Sequence, residues 1–301
     1  MRHVLVLLVV AIAACGQPAT PSSSSCNLPI SIADGHGNFQ GAFVSFPGGN
    51  VTSDPSGVGG QSFDRVLTRW LPVNHDSVSP DGNFYAYLDP KVAGTPGRAR
   101  LHVVYVPTGI EKLVDLGAPG DNAAYVVVSY APEGIWFSYA GYEGPSGGLF
   151  FLDSGTADWK EISGTTVLAP VAGAPGVFWF TDGGPTPEYS ATGMGYFILS
   201  RLQRFSAEDG KAEEWFNEPG SYLRILGTDG VGHPIFTDGK DIRLALSPNE
   251  TKVIGLPQGD YQLFADRRGV WFGGQTGIYL YSGGSVQKVS KHAGTPAGSC
   301  A

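Results

Sequence analysis

Apolar and polar positions along this chain alternate with the period of strands. Short runs rich in Val, Ile, Phe, Tyr and Trp are bounded by Gly, Pro, Asn and Asp, and no stretch keeps a helical spacing. The most regular phrase is a turn glycine followed by an aromatic strand. Its clearest copies are Gly134-Ile135-Trp136-Phe137, Gly176-Val177-Phe178-Trp179-Phe180 and Gly269-Val270-Trp271-Phe272, with looser ones opening at Gly82 and Gly232. The glycines at 82, 134, 176, 232 and 269 lie 52, 42, 56 and 37 residues apart, an average of about 47 that suits one four-stranded propeller blade.

The second unit predicts strands at 84–89, 99–106 and 111–116, behind a turn at Ser79-Pro80-Asp81-Gly82-Asn83. The third predicts 125–130, 135–139, 149–153 and 159–163; the fourth starts at Val167 and continues through 177–181, 196–205 and 212–216. A fifth uses 222–226, 234–237, 242–246 and 252–256, and a sixth 261–265, 270–272, 278–281 and 286–290. The opening segment is the first unit, with a strand at 41–46 and one or two more within 63–73. Residues 48–61 and 182–195 exceed ordinary hairpin connections. They read as long loops, either binding loops on a rigid scaffold or exposed connections that have drifted.

The fold class expected is all-β, a six-bladed β-propeller of four-stranded blades over residues 26–301. One unit of short strands cannot bury its faces alone and must stack on the next. Radial stacking, unlike a sandwich, leaves only short protected edges and wants large flat side chains between sheets. Composition agrees: 42% of residues are hydrophobic and 12% aromatic, with 44 glycines and 22 prolines for tight turns. The formal net charge of −8 repels phosphate backbones and argues against nucleic acid as a partner.

The N-terminus has an export pattern. Arg2 and His3 precede an unbroken apolar run from Val4 to Ile12, too short for a permanent membrane span. It ends in Ile12-Ala13-Ala14-Cys15-Gly16, which resembles the lipobox of bacterial lipoproteins. That resemblance implies a signal peptide over 1–14 and a lipidated Cys15 as mature N-terminus, so that the membrane is a partner through the lipid. A secretory signal cut after Ala14 with a spare thiol is the alternative. Residues 15–25, rich in Pro and Ser, form a flexible tether. With Cys15 lipidated, Cys26 and Cys300 remain, at the two ends of a ring whose first and last strands are neighbours. A disulfide there would staple the ring in an oxidising compartment, unless both cysteines lie in frayed ends.

Candidate chemistry is sparse. Arg69-Trp70 and Asn74-His75-Asp76 place a guanidinium, an aromatic face, an imidazole and a carboxylate at the join of the first two units. Arg69, Trp70, His75 and Asp76 could together bind a sugar or a carboxylate ligand. Alternatively Trp70 packs between blades and His75–Asp76 is a capped turn. His36, His102, His233 and His292 share no metal-ligand spacing, and Gly-x-Ser-x-Gly, HExxH and P-loop patterns are missing, so neither metal nor cofactor is expected. The turns at 81–83 and 238–241 lack the further ligands of a calcium loop.

Ser79-Pro80-Asp81-Gly82 before an aromatic strand resembles the repeat turn of TolB-type and related WD-like propellers. The phrases at 269–272 and 277–281 are similar to repeats of sensor-type propellers and of the streptogramin lyase superfamily. These likenesses imply the blade; they carry no catalytic motif over. The function expected is a membrane-tethered extracytoplasmic module, monomeric, that binds or scaffolds an envelope protein, peptide or glycan. The alternative is an envelope hydrolase or lyase with an axial site drawn from His75, Asp76, His102, Glu133 and His233. An assembly factor in an envelope complex is a third reading.

Overall fold

The computed structural model describes residues 25–34, 36–89, 99–117, 123–141, 148–163, 168–183 and 199–300. The expected signal peptide over 1–14, Cys15, nearly all of the expected tether and most of the expected loop at 182–195 lie outside the described residues.

Blade 1 opens with β1 (Cys26–Ala33), β2 (Phe39–Phe46) and β3 (Val51–Val58). A hairpin of β4 (Ser62–Asp64) and β5 (Arg69–Leu71) leads to one 3₁₀ turn at His75–Ser77. Blade 2 holds β6 (Phe84–Leu88), β7 (Arg100–Tyr105) and β8 (Ile110–Asp115), its first position reduced to a single bridge between Val78 and Tyr85. Blade 3 is β9 (Ala123–Ala131), β10 (Gly134–Gly141), β11 (Leu149–Asp153) and β12 (Trp159–Ser163). Blade 4 is β13 (Leu168–Ala172), β14 (Val177–Asp182), β15 (Arg201–Ser206) and β16 (Lys211–Asn217). Blade 5 is β17 (Arg224–Thr228), β18 (Pro234–Thr237), β19 (Ile242–Ser247) and β20 (Glu250–Ile254). Blade 6 is β21 (Tyr261–Asp266), β22 (Gly269–Gly274), β23 (Gly277–Ser282) and β24 (Ser285–Ser290), after which β25 (Thr295–Pro296) returns to blade 1.

Every described blade pair is antiparallel, and the sheet order in blade 1 is β25-β1-β2-β3. The C-terminal strand therefore completes the N-terminal blade, with Ile30 opposite Pro296 and Ser31 opposite Thr295. First strands touch in succession, β9 to β13, β13 to β17, β17 to β21 and β21 to β25, which places them around the axis. This is a six-bladed β-propeller.

The core lies between blades. One cluster joins Leu28, Ile30 and Val44 of blade 1 to Trp271, Ile278 and Leu280 of blade 6. Others join blade 5 to 6 through Ile235 and Phe272, 2 to 3 through Leu101 and Phe137, 3 to 4 through Trp136 and Phe178, and 4 to 5 through Trp179 and Phe236. The tryptophans on second strands (Trp136, Trp179, Trp271) are all buried. This is the role that the repeated aromatic phrase demands.

The glycines that open this phrase sit where another residue would be strained or crowded. At Gly269 the backbone is at φ +139° and an added Cβ would meet the Tyr281 carbonyl oxygen at 2.2 Å, whereas at Gly176, φ +70°, nothing lies within 4 Å. Gly176→Ala should cost on the order of 1 kcal/mol for the left-handed backbone alone, and Gly269→Ala clearly more. Urea midpoints check the ordering, and equal shifts would contradict it.

Two expectations for the first unit are corrected. Residues 51–58 are not a loop but the outermost strand β3, pairing Ala42 with Ser53 and Val44 with Val51. Its polar content and Pro55 suit an edge that faces water and need not donate every N–H. Nor do residues 63–73 belong to a blade sheet. Their hairpin wedges between blades 1 and 2, with Phe63 and Trp70 on the Phe43 side and Leu71 on the Val106 side.

Candidate functional site

The ring closes where chain ends, hairpin and 3₁₀ turn converge. Cys26 and Cys300 are disulfide-bonded, with Cα atoms 5.5 Å apart. The Cys300 amide donates to Asp266 Oδ2 at 2.8 Å, the Ala297 amide to the Pro29 carbonyl at 2.9 Å, and the Phe63 amide to the Ala297 carbonyl at 2.7 Å. The Arg65 guanidinium donates to the Ser299 and Asn27 carbonyls and lies over the Phe63 ring. Burial lowers its pKa, against the opposing charge of Asp266. Together these contacts tie the last residues of the chain to blade 1, to the wedge and, through Asp266, to blade 6.

The hairpin separates two of the sequence-predicted site residues. Neighbours in a strand point to opposite faces, so Trp70 turns to blade 1 while Arg69 turns to blade 2. Trp70 is buried against Gly41 and Gly60, where a Cβ would collide with it, and its Nε1 donates to Asp54 Oδ2 at 3.0 Å. That bond, followed by those from Ser56, holds the Asp54 carboxyl below its ordinary value. Arg69 Nη1 donates to the Val106 carbonyl at 3.1 Å. His75 and Asp76 do stay together, with Nε2 3.1 Å from Oδ1. The four residues therefore do not share one surface.

His75 is the half-buried member that faces the joint. The 3₁₀ turn contacts β9 of blade 3, and the His75 ring meets Phe264 of blade 6 edge-on at 4.9 Å. Burial pulls the His75 pKa down, but the charge and hydrogen bond of Asp76 outweigh it, and the net direction is up from 6.5. A raised imidazole stabilises the fold fully below the unfolded value and loses that contribution as pH rises through the folded one. Proton NMR should show His75 titrating above the ordinary midpoint, and Asp76→Asn should bring it down. A midpoint that Asp76→Asn does not move would contradict the pairing.

A recess of about 270 Å³ opens at this joint, lined by Ser62, Asp64, His75 and Phe264 among others. Asp64 Oδ1 accepts the Val66 and Leu67 amides at 2.7 and 3.2 Å, while Asp64 Oδ2 and Ser62 Oγ are buried without a protein partner. The two atoms lie in the floor beneath the recess, whose walls include Phe63, Phe264 and the His75 ring. Sequence reading did not single out Ser62, Asp64 or Phe264. Their meeting depends on ring closure, and only the aspartate before a turn at Asp64-Arg65-Val66-Leu67 gives a local hint.

The residues of the axial alternative do not converge. His102, on β7, has Nδ1 and Nε2 each 2.7 Å from a carboxylate, Glu111 and Asp89, and Tyr87 stacks on it at 4.3 Å. The Tyr87 hydroxyl donates to Glu111 at 2.6 Å, which pushes its pKa to about 12. His233 pairs with Asp229 at 3.1 Å in the β17–β18 turn, and Glu133 lies in the β9–β10 turn, its carbonyl accepting the Ser154 amide. His36 is exposed in a turn capped by Asp34, and His292 is exposed beyond β24. Among the described residues no group of three or more His, Cys, Asp or Glu is placed to hold a metal ion. None of the described helices is long and apolar enough to cross a membrane.

No family model matches the chain, and no curated protein matches it. Among solved structures it is similar to the β-propeller domain of the Trilobed protease from Pyrococcus furiosus, with TM-score 0.47, 12% identity, 70% of this chain and 68% of that one. It is also similar to the acylaminoacyl peptidase of Pyrococcus horikoshii, with TM-score 0.47, 11% identity, 69% of this chain and 38% of that one. TolB from Acinetobacter baumannii matches with TM-score 0.47 and 11% identity, over 90% of this chain and 65% of that one. The chain thus spans less than two thirds of the peptidase and of TolB, and the likeness concerns the fold alone.

Proposed function

We propose that this chain is an exported, lipid-anchored propeller that serves as a binding or scaffold module for a protein, peptide or glycan of the cell envelope. The observation that carries the compartment is the Cys26–Cys300 bond at the closure of the ring, because structural disulfides persist in oxidising compartments. Upstream of it, Ile12-Ala13-Ala14-Cys15 supplies the lipidation signal and residues 15–25 the tether. The binding role is supported by a closed scaffold with a recess at its joint, lined by Phe63, Arg65, His75 and Phe264 among others. Mass spectrometry of the mature protein tests the anchor: an acylated Cys15 at the N-terminus is expected, and an unmodified terminus overturns it. Cross-linking in the membrane fraction tests the binding role, with a discrete envelope partner as the expected result.

A further inference from the structure

One end of blade 5 holds a separate recess of about 470 Å³, a size that small-molecule sites commonly have. It is built from the start of β17, the β18–β19 turn at 238–241 and the β20–β21 connection at 255–260. Tyr222 stands in its wall and is 57% exposed, the most exposed aromatic side chain among the described residues. The tryptophans of the blade joints are buried; this ring is left in water beside a cavity, where it offers a face for stacking.

The polar groups around it are of both kinds. Arg224 and Lys240 donate, Asp241 and Asp260 accept, and Gln258 does both. Arg224 Nη2 lies 2.6 Å from Asp260 Oδ1, and Asp241 Oδ2 lies 3.6 Å from Arg243. The two cations and two anions of the lining balance, so the recess has no net charge with which to select an ion. A ligand that matches an aromatic face, mixed donors and acceptors and zero net charge is a polyhydroxyl compound with one apolar face.

We propose that this recess binds a neutral sugar, one pyranose ring stacked on Tyr222 and its hydroxyls exchanged with Arg224, Gln258 and Asp260. The inference rests on the binding-module reading and chooses the glycan among its partner classes. The test is titration of the oxidised domain with cellotriose, chitotriose and trigalacturonate, followed by amide chemical shifts and calorimetry. Saturable binding of a neutral trisaccharide is expected, with shifts confined to 222–224, 238–241 and 255–260. Cellotriose alone would point to a plain hydroxyl ligand and chitotriose to an N-acetylated one. Tyr222→Ala, at an exposed position, should keep the fold and weaken binding about tenfold. The proposal is overturned by no saturable response to either neutral sugar, by equal affinity in Tyr222→Ala, or by tighter binding of the anionic trigalacturonate. Such a failure leaves an acylated Cys15 and a cross-linked envelope protein standing. Conversely, an unmodified terminus removes the anchored-module reading even if the sugar binds.

Discussion

Cys26→Ser is expected to lower the free energy of unfolding by about 5 kcal/mol. The bond spans 274 residues, so breaking it releases nearly the whole chain from its constraint in the unfolded state. For a domain of this size the loss corresponds to a fall in melting temperature of roughly 10 °C. Reduction of the native protein should give the same shift as Cys26→Ser, and reduction of the variant none. Thermal unfolding with and without reductant checks both; a melting temperature insensitive to either change would mean that β25 and the hydrogen bonds of Asp266 and Arg65 close the ring unaided.

Trp271→Ala is expected to cost about 3–5 kcal/mol, the range for deleting a large aromatic from a packed core. Trp271 is 0% exposed, belongs to the cluster that joins blade 6 to Cys26, Leu28 and Ile30, and meets Phe46 edge-on at 5.5 Å. Trp159, 38% exposed on the outer strand of blade 3, offers the contrast, and Trp159→Ala should cost well under half as much because little of its surroundings is left as a cavity. Urea titration of the two variants measures the difference. Equal destabilisation would contradict the assignment of the second-strand tryptophans to blade joints. Trp271 and Cys26 share one joint, so their double variant should depart from the sum of the singles.

Blades 3 to 6 are legible in the sequence because their second strands are largely buried and carry continuous aromatic or aliphatic runs, and blade 2 because the turn at 79–83 opens an aromatic strand. Trp136-Phe137 and Phe178-Trp179-Phe180 announce themselves without any knowledge of the ring. Blade 1 is less legible for a definite reason. Its outer strand β3 reads VTSDPSGV and pairs through its backbone at a solvated edge, so it carries no apolar signal and passes for a loop. Its inner strand β25 is two residues long and comes from the far end of the chain. The expected pairing of Cys26 with Cys300 across the closed ring is present as a disulfide.

The candidate site is less readable still. Arg69 and Trp70 are adjacent in sequence and so look like one cluster, yet strand geometry sends them to different blades. Conversely, Asp64, His75 and Phe264 are distant in sequence and meet only because the wedge, the 3₁₀ turn and blade 6 converge at the closing joint. Tyr222 is ordinary in sequence, one aromatic among many. What distinguishes it is exposure beside a cavity, which only the packing of its neighbours reveals.

A non-reducing peptide map of the protein purified without reductant tests the closed ring most directly. The structure predicts one cross-linked species that joins the peptide containing Cys26 to the one containing Cys300. Recovery of both cysteines as free thiols, or of either one paired to Cys15, would contradict it.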